Sequence, residues 1–172
     1  NKFDEAIKSM VKRKYNLYIG DKTAEYIKKK LAGAMPTVRG SVKIFGRDVV
    51  SGLPAEMEID ATDVYEAISE HLYSIVDASK IILERTPPEI TSDIIDSGVY
   101  ITGGSAQIIA IDELFNKETD LKINICRDPA NTVVNGYPDY VVSDLAALQR
   151  QQAGGAAPVI PVTQPRTYYG QL

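Results

Sequence analysis

Apolar residues recur at every fourth position at the start of the chain, Phe3, Ile7, Val11 and Tyr15, with Lys8, Lys12, Arg13 and Lys14 between them. One stripe packs and the rest is wet, so the spacing predicts an amphipathic helix ending near Asn16. Gly20 interrupts the pattern. Asp21 offers a carboxylate to the free amides of a second helix, whose stripe of Ala24, Ile27 and Leu31 stops at Gly33 and Pro36. From Val38 to Ile59 the period shortens. Val38, Val42, Ile44 and Val49 stand among polar partners, Gly46-Arg47-Asp48 punctuates, and Met57 and Ile59 alternate with Glu56, Glu58 and Asp60. Two or three short antiparallel strands are expected there.

Asp63 with Glu66 three residues later has the form of a capping box. Val64, Ile68, Leu72, Ile75, Val76, Ser79, Ile82 and Leu83 follow at helical spacing, which predicts a helix over residues 63–85. Thr86-Pro87-Pro88 ends it, and residues 89–95 make a short helix with Pro88 in its first turn and Gly98 as its stop. Residues 99–102 read as a strand, Gly103-Gly104 as a tight turn and Ser105 as a cap. Ile108, Ile109, Ile111, Leu114 and Phe115 then read as a buried helix face, and residues 121–126 as a second strand. Strand, helix and strand in that order predict a parallel pair, so the class is α/β with a small antiparallel insertion. After Gly136-Tyr137-Pro138 the periodicity fades, so residues 137–172 read as a divergent, disordered tail, of which residues 149–172 are rich in Gln, Ala, Gly and Pro.

The 172 residues suffice for one domain with a core that needs no staples. The single Cys126 excludes an internal disulfide framework and fits a reducing compartment. No apolar run long enough for a membrane span and no signal-peptide pattern is present, which leads to a cytoplasmic expectation. The net charge of -4 is uneven: residues 1–30 hold nine Lys/Arg against four Asp/Glu, leaving ten against nineteen for the remainder. The basic end reads as a solvated helix face, and no nucleic-acid partner is expected.

Two places have chemical potential. The Gly103-Gly104-Ser105-Ala106 junction is built of small residues that let a sugar or phosphate approach the backbone, although a plain turn has the same composition. Glu25 and Lys28, three apart on a helix, project on one flank and could hold ribose hydroxyls from two sides; such a spacing is more often a surface ion pair. Lys29 and Lys30 point progressively away. The lone His71 has no second nitrogen or thiol nearby in sequence, so neither a metal site nor a catalytic triad is assigned, and Cys126 reads as a buried structural thiol.

The ordered blocks Phe3-Asp4-Glu5-Ala6-Ile7, Lys14-Tyr15-Asn16-Leu17-Tyr18-Ile19-Gly20-Asp21-Lys22-Thr23-Ala24-Glu25, Gly46-Arg47-Asp48, Ser51-Gly52-Leu53-Pro54, Glu84-Arg85-Thr86-Pro87-Pro88-Glu89-Ile90, Asp93-Ile94-Ile95-Asp96-Ser97-Gly98 and Ile101-Thr102-Gly103-Gly104-Ser105-Ala106 resemble the bacterial actin-like, rod-shape-determining MreB and Mbl family. The resemblance covers residues 1–136 and corresponds to the C-terminal half of that family's actin-like (RNase H-like ATPase) fold. It implies an inner subdomain from residues 1–35 and 86–136, and a small α+β outer subdomain, residues 36–85, that helps subunits stack head to tail. It also implies that Gly103, Gly104, Ser105 and Ala106 form the adenosine-side loop of an ATP site, with Glu25 and Lys28 approaching ribose and adenine. Through the family it implies self-association into filaments, a role in cell shape, and contact with cell-shape machinery at the inner face of the membrane.

The departures matter. The family's two phosphate loops and its water-positioning acid are not among these residues, so Mg-ATP is expected only where the phosphate-binding half is supplied, and hydrolysis by this chain alone is not expected. Ser105 replaces a third glycine. A second reading is a non-enzymatic, truncated actin-like module that binds or caps filaments.

Overall fold

The computed structural model describes residues 2–126, 140–142 and 160–161. Helix α1 (Lys2–Tyr15) buries Phe3, Ile7, Met10 and Val11, as the four-residue stripe requires, with acidic residues in its first turn and basic ones in its last to complement the helix dipole. Burial of side chains the size of Ile7 and Val11 stabilises by about 1.5–3 kcal/mol each. Asn16 adopts a left-handed conformation, φ 51°, and turns the chain into a two-residue strand, β1 (Leu17–Tyr18). Helix α2 (Asp21–Leu31) follows. Gly20 occupies its cap position, and Asp21 does not cap: its carboxylate accepts a hydrogen bond from Lys8 Nζ at 2.7 Å instead.

Strands β2 (Ser41–Asp48) and β3 (Pro54–Asp60) pair antiparallel, Ile44 opposite Met57 and Val42 opposite Ile59, and β1 joins the far end of β2. Two strands within residues 38–60 meet the expectation there, and β1 adds a third from outside that stretch. Gly46-Arg47-Asp48 lies inside β2 rather than punctuating it. Gly46 serves close approach, since a Cβ there would stand 2.6 Å from the Tyr18 carbonyl oxygen. The reversal comes at residues 49–53, where the Asp48 carboxylate accepts from the Val50 and Ser51 amides and the Ser51 hydroxyl.

Helix α3 (Ala61–Glu84) follows β3 directly, and 24 residues make it about 36 Å long. Asp60, not Asp63, takes the cap position, so the capping-box reading is corrected. Asp63 is buried, and its two carboxylate oxygens accept from Lys14 Nζ and Tyr15 Oη at the end of α1. The buried stripe is Val64, Ile68, Leu72 and Val76, whereas Ile75 and Ile82 face outward.

Helix α4 (Pro88–Ser97) closes at Gly98, φ 83°, whose amide donates to the Ile94 carbonyl. Strand β4 (Val99–Ile101) pairs in parallel with β5 (Ile123–Cys126), as the strand-helix-strand order predicts. Between them lie a 3-10 turn, Gly104–Gln107, and helix α5 (Ile111–Thr119). Ser105 does not cap a helix, and Ile108 and Ile109 precede α5 rather than belonging to it. Ile109 instead pairs with the residues that follow α2: its amide donates to Ala32 at 3.1 Å, and its carbonyl accepts from Ala34 at 2.8 Å. Two further strands, β6 (Tyr140–Val142) and β7 (Ile160–Pro161), extend the second sheet in the order β4-β5-β6-β7. The remainder of residues 137–172, and with it the expected divergent tail, lies outside the described residues. One continuous apolar core runs from Phe3 to Ile125 and joins both sheets.

Candidate functional site

Helices α1 and α2 run antiparallel, tied at one end by Lys8 and Asp21 and at the other by Asp4 and Lys28, whose Nζ and Oδ1 stand 2.8 Å apart. Ala32, one turn after Lys28, donates to the Lys28 carbonyl at 3.0 Å and accepts from Ile109. The backbone therefore stitches the end of α2 to the segment that carries the glycine turn. The first turn of α1, the last turn of α2 and residues 103–109 meet at one end of the molecule.

Around the turn, the Ala106 amide donates to Gly103 and the Ile108 amide to Ser105. Gly104 and Ser105 are exposed, Gly103 is half-buried and Ala106 is buried. A Cβ at Gly103 or Gly104 would meet nothing within 4 Å, so the space beside the turn is open. Ala106 anchors the turn to the core rather than lining that space.

The two helical residues are placed on α2 but not paired with each other. The exposed Glu25 carboxylate accepts from Lys29, one turn on, at 2.7 Å. That hydrogen bond, then the Lys29 charge, holds the Glu25 carboxyl below the usual range, and the nearby Lys28 charge contributes in the same direction. The Lys28 ammonium turns to Asp4 instead. Asp4 escaped the sequence reading because helical periodicity marks only that it follows Phe3; its partner lies on the next helix.

Elsewhere, His71 stands edge-on to Phe3 with ring centroids 6.2 Å apart, and Cys126 is buried. Among the described residues no three His, Cys, Asp or Glu side chains cluster as metal ligands, and no helix is long and apolar enough to cross a membrane.

Comparison with known proteins bears on this geometry. The sequence profile described as MreB/Mbl protein matches residues 1–149, past residue 136 where the resemblance was expected to stop. The chain is 44% identical over 137 residues to the cell shape-determining protein Mbl of Bacillus subtilis, covering 79% of this chain and 41% of that protein. It is 37% identical over 138 residues to the cell shape-determining protein MreB of Escherichia coli, covering 79% of this chain and 40% of that protein. The crystal structure of MreB5 of Spiroplasma citri bound to ADP superposes with a TM-score of 0.73 at 36% identity, over 77% of this chain and 40% of that one. This chain thus spans about two fifths of the length of these relatives.

Proposed function

Because this chain belongs to the MreB/Mbl protein family and has its actin-like α/β fold, we propose that it is the adenosine-side, subunit-stacking portion of a cytoskeletal filament protein that acts in cell shape. The observation that carries the nucleotide half of this reading is the backbone stitching of residues 32–34 to Ile109, which brings the open glycine turn against the end of α2. The MreB5 relative was solved with ADP, and the open space beside Gly103 and Gly104 fits the approach of a nucleoside to backbone. Lys28 donates to acceptors on the ribose or adenine, and Glu25 accepts from ribose hydroxyls. Gly103, Gly104 and Ser105 border the nucleoside, with Ala106 fixing the turn.

ATP is the expected nucleotide. Phosphoryl transfer depends on positioned phosphates and their metal, and the residues that would cradle them lie outside this sequence, so the chain by itself is not expected to turn ATP over.

The stacking half rests on two exposed apolar groups at opposite ends of α3. Val49, Val50, Leu53 and Phe45 crown the β2–β3 hairpin, with Val50 87% exposed. The Val49 amide bonds to Asn16, next to Tyr15, so the crown belongs to the end of the molecule where α3 begins. Ile82, 68% exposed, with Ile90 and Ile95 marks the other end. Two different patches at opposite ends make a head-to-tail contact, which propagates into a filament rather than closing as a dimer. Self-association is the proposed partnership, in the cytoplasm and with cell-shape machinery at the inner membrane face through the full-length protein.

Chemical-shift mapping with adenosine tests the first half. Shifts confined to residues 25–34 and 102–109 are expected, and a map elsewhere, or none, would overturn it.

A further inference from the structure

The three consecutive lysines of α2 are not equivalent. Lys29 pairs within its own helix, with side-chain exposures of 64% for itself and 49% for Glu25. The Lys28 side chain is only 19% exposed, and its ammonium reaches across to Asp4 of α1, itself 16% exposed. A lysine stem is long and mobile, so an ammonium with no anchor visits many positions. A half-sequestered carboxylate on a neighbouring helix removes that freedom.

The contact has a further property. Asp4 Oδ1 is buried and no hydrogen-bond donor is aligned on it, although Lys28 Nζ is 2.8 Å away. The contact is therefore an ion pair outside hydrogen-bond geometry, held by charge. The Lys28–Asp4 pair is neutral as a unit, so the N–H groups of Lys28 beside it suit an uncharged acceptor such as a ribose hydroxyl or an adenine nitrogen better than a phosphate, which the Asp4 carboxylate would repel.

We propose that Asp4 is a positioning residue for the nucleotide site, fixing Lys28 Nζ at the end of α2 and selecting for the nucleoside over the phosphates. This rests on the reading of Lys28 as nucleoside-facing.

The test uses the 172-residue chain, adenosine as the probe and four variants: Asp4→Asn, Asp4→Glu, Lys28→Met and the double variant Asp4→Asn with Lys28→Met. Lys28→Met is expected to weaken adenosine roughly tenfold, the loss of one good contact. Asp4→Asn is expected to weaken it several-fold while raising the acylation rate of the Lys28 amine, read by mass spectrometry. Asp4→Glu should restore part of the affinity by restoring the charge. The double variant should bind no worse than Lys28→Met alone, because a positioning residue has nothing left to position.

If Lys28→Met binds like the wild type, or the wild type shows no adenosine shifts, the functional reading falls and takes this inference with it. If Lys28→Met is weak but Asp4→Asn matches the wild type, the inference falls alone. It also falls if the Asp4→Asn effect persists undiminished in the Lys28→Met background, or if Asp4→Asn alone leaves Lys28 reactivity unchanged, either of which would mark Asp4 as purely structural.

Discussion

At the scale of single residues, the Asp63 cluster shows what sequence spacing can mislead about. An acid three residues before a glutamate, ahead of an apolar run, matches a cap, yet the side chain is only 7% exposed and its partners come from 48 and 49 positions earlier in the chain. Local spacing is blind to such partners. Burial acts to raise the Asp63 carboxyl, but the Lys14 and Tyr15 hydrogen bonds outweigh it and leave its pKa below the ordinary value. A carboxyl depressed in the folded state contributes stability above its unfolded value, about 4, that is lost as pH falls through the folded one. Asp63→Asn should therefore cost about 2 kcal/mol at neutral pH, read by urea unfolding, and flatten the acid limb of the stability profile. Tyr15 behaves oppositely. Burial first, then its bond to Asp63, pushes its hydroxyl from 10.0 up to about 12, so the folded state holds that proton and loses the associated stability as pH rises between those values. Tyr15→Phe should remove that alkaline loss; an unchanged alkaline limb would count against the assignment.

At the scale of elements, what was legible had a period. Helices α1, α2 and α3 announce their buried stripes every three or four residues, and the apolar strands β4 and β5 on either side of a helical segment announced their parallel pairing. Strand β1 was not legible, because two residues carry no periodicity and its existence depends on β2 arriving beside it. The start of α5 was misplaced for a similar reason: Ile108 and Ile109 have helical spacing, but the Ile109 backbone is taken by Ala32 and Ala34, and the left-handed Ala110 begins the helix afterwards. Of the candidate site, the turn and its helix were legible, whereas the cross-helix Asp4 contact was not. The α4 stop offers an element-scale check. A Cβ at Gly98 would stand 2.5 Å from the Lys122 carbonyl oxygen while the backbone holds φ 83°. Gly98→Ala should therefore destabilise by about 1–3 kcal/mol, seen as a lower denaturant midpoint with an unchanged slope. At the hairpin crown, Val50→Asp replaces a side chain already in water, so folding stability should stay within about 0.5 kcal/mol while sedimentation of mixed filaments with a full-length relative falls. Equal incorporation of the variant would exclude the crown from the contact.

For the whole molecule, the division of labour implied by the site predicts an affinity pattern. If only the nucleoside is read, adenosine, AMP and ADP should bind within a few-fold of each other, measured by competition in the same shift assay; a steep rise with each phosphate would place the recognised group elsewhere. The geometry of α3 carries a mechanical consequence. Under the proposed head-to-tail stacking, tension between the hairpin crown and the α4 end would run along one uninterrupted helix whose hydrogen bonds lie parallel to its axis, so the rod itself is stiff. Helix α1 braces that rod along its length, with Lys14 and Tyr15 on Asp63 at one end and Phe3 edge-on to His71 two turns further along. Load on the rod is therefore shared with the apolar face that α1 buries against it, and under the proposed stacking each subunit would resist bending as one body.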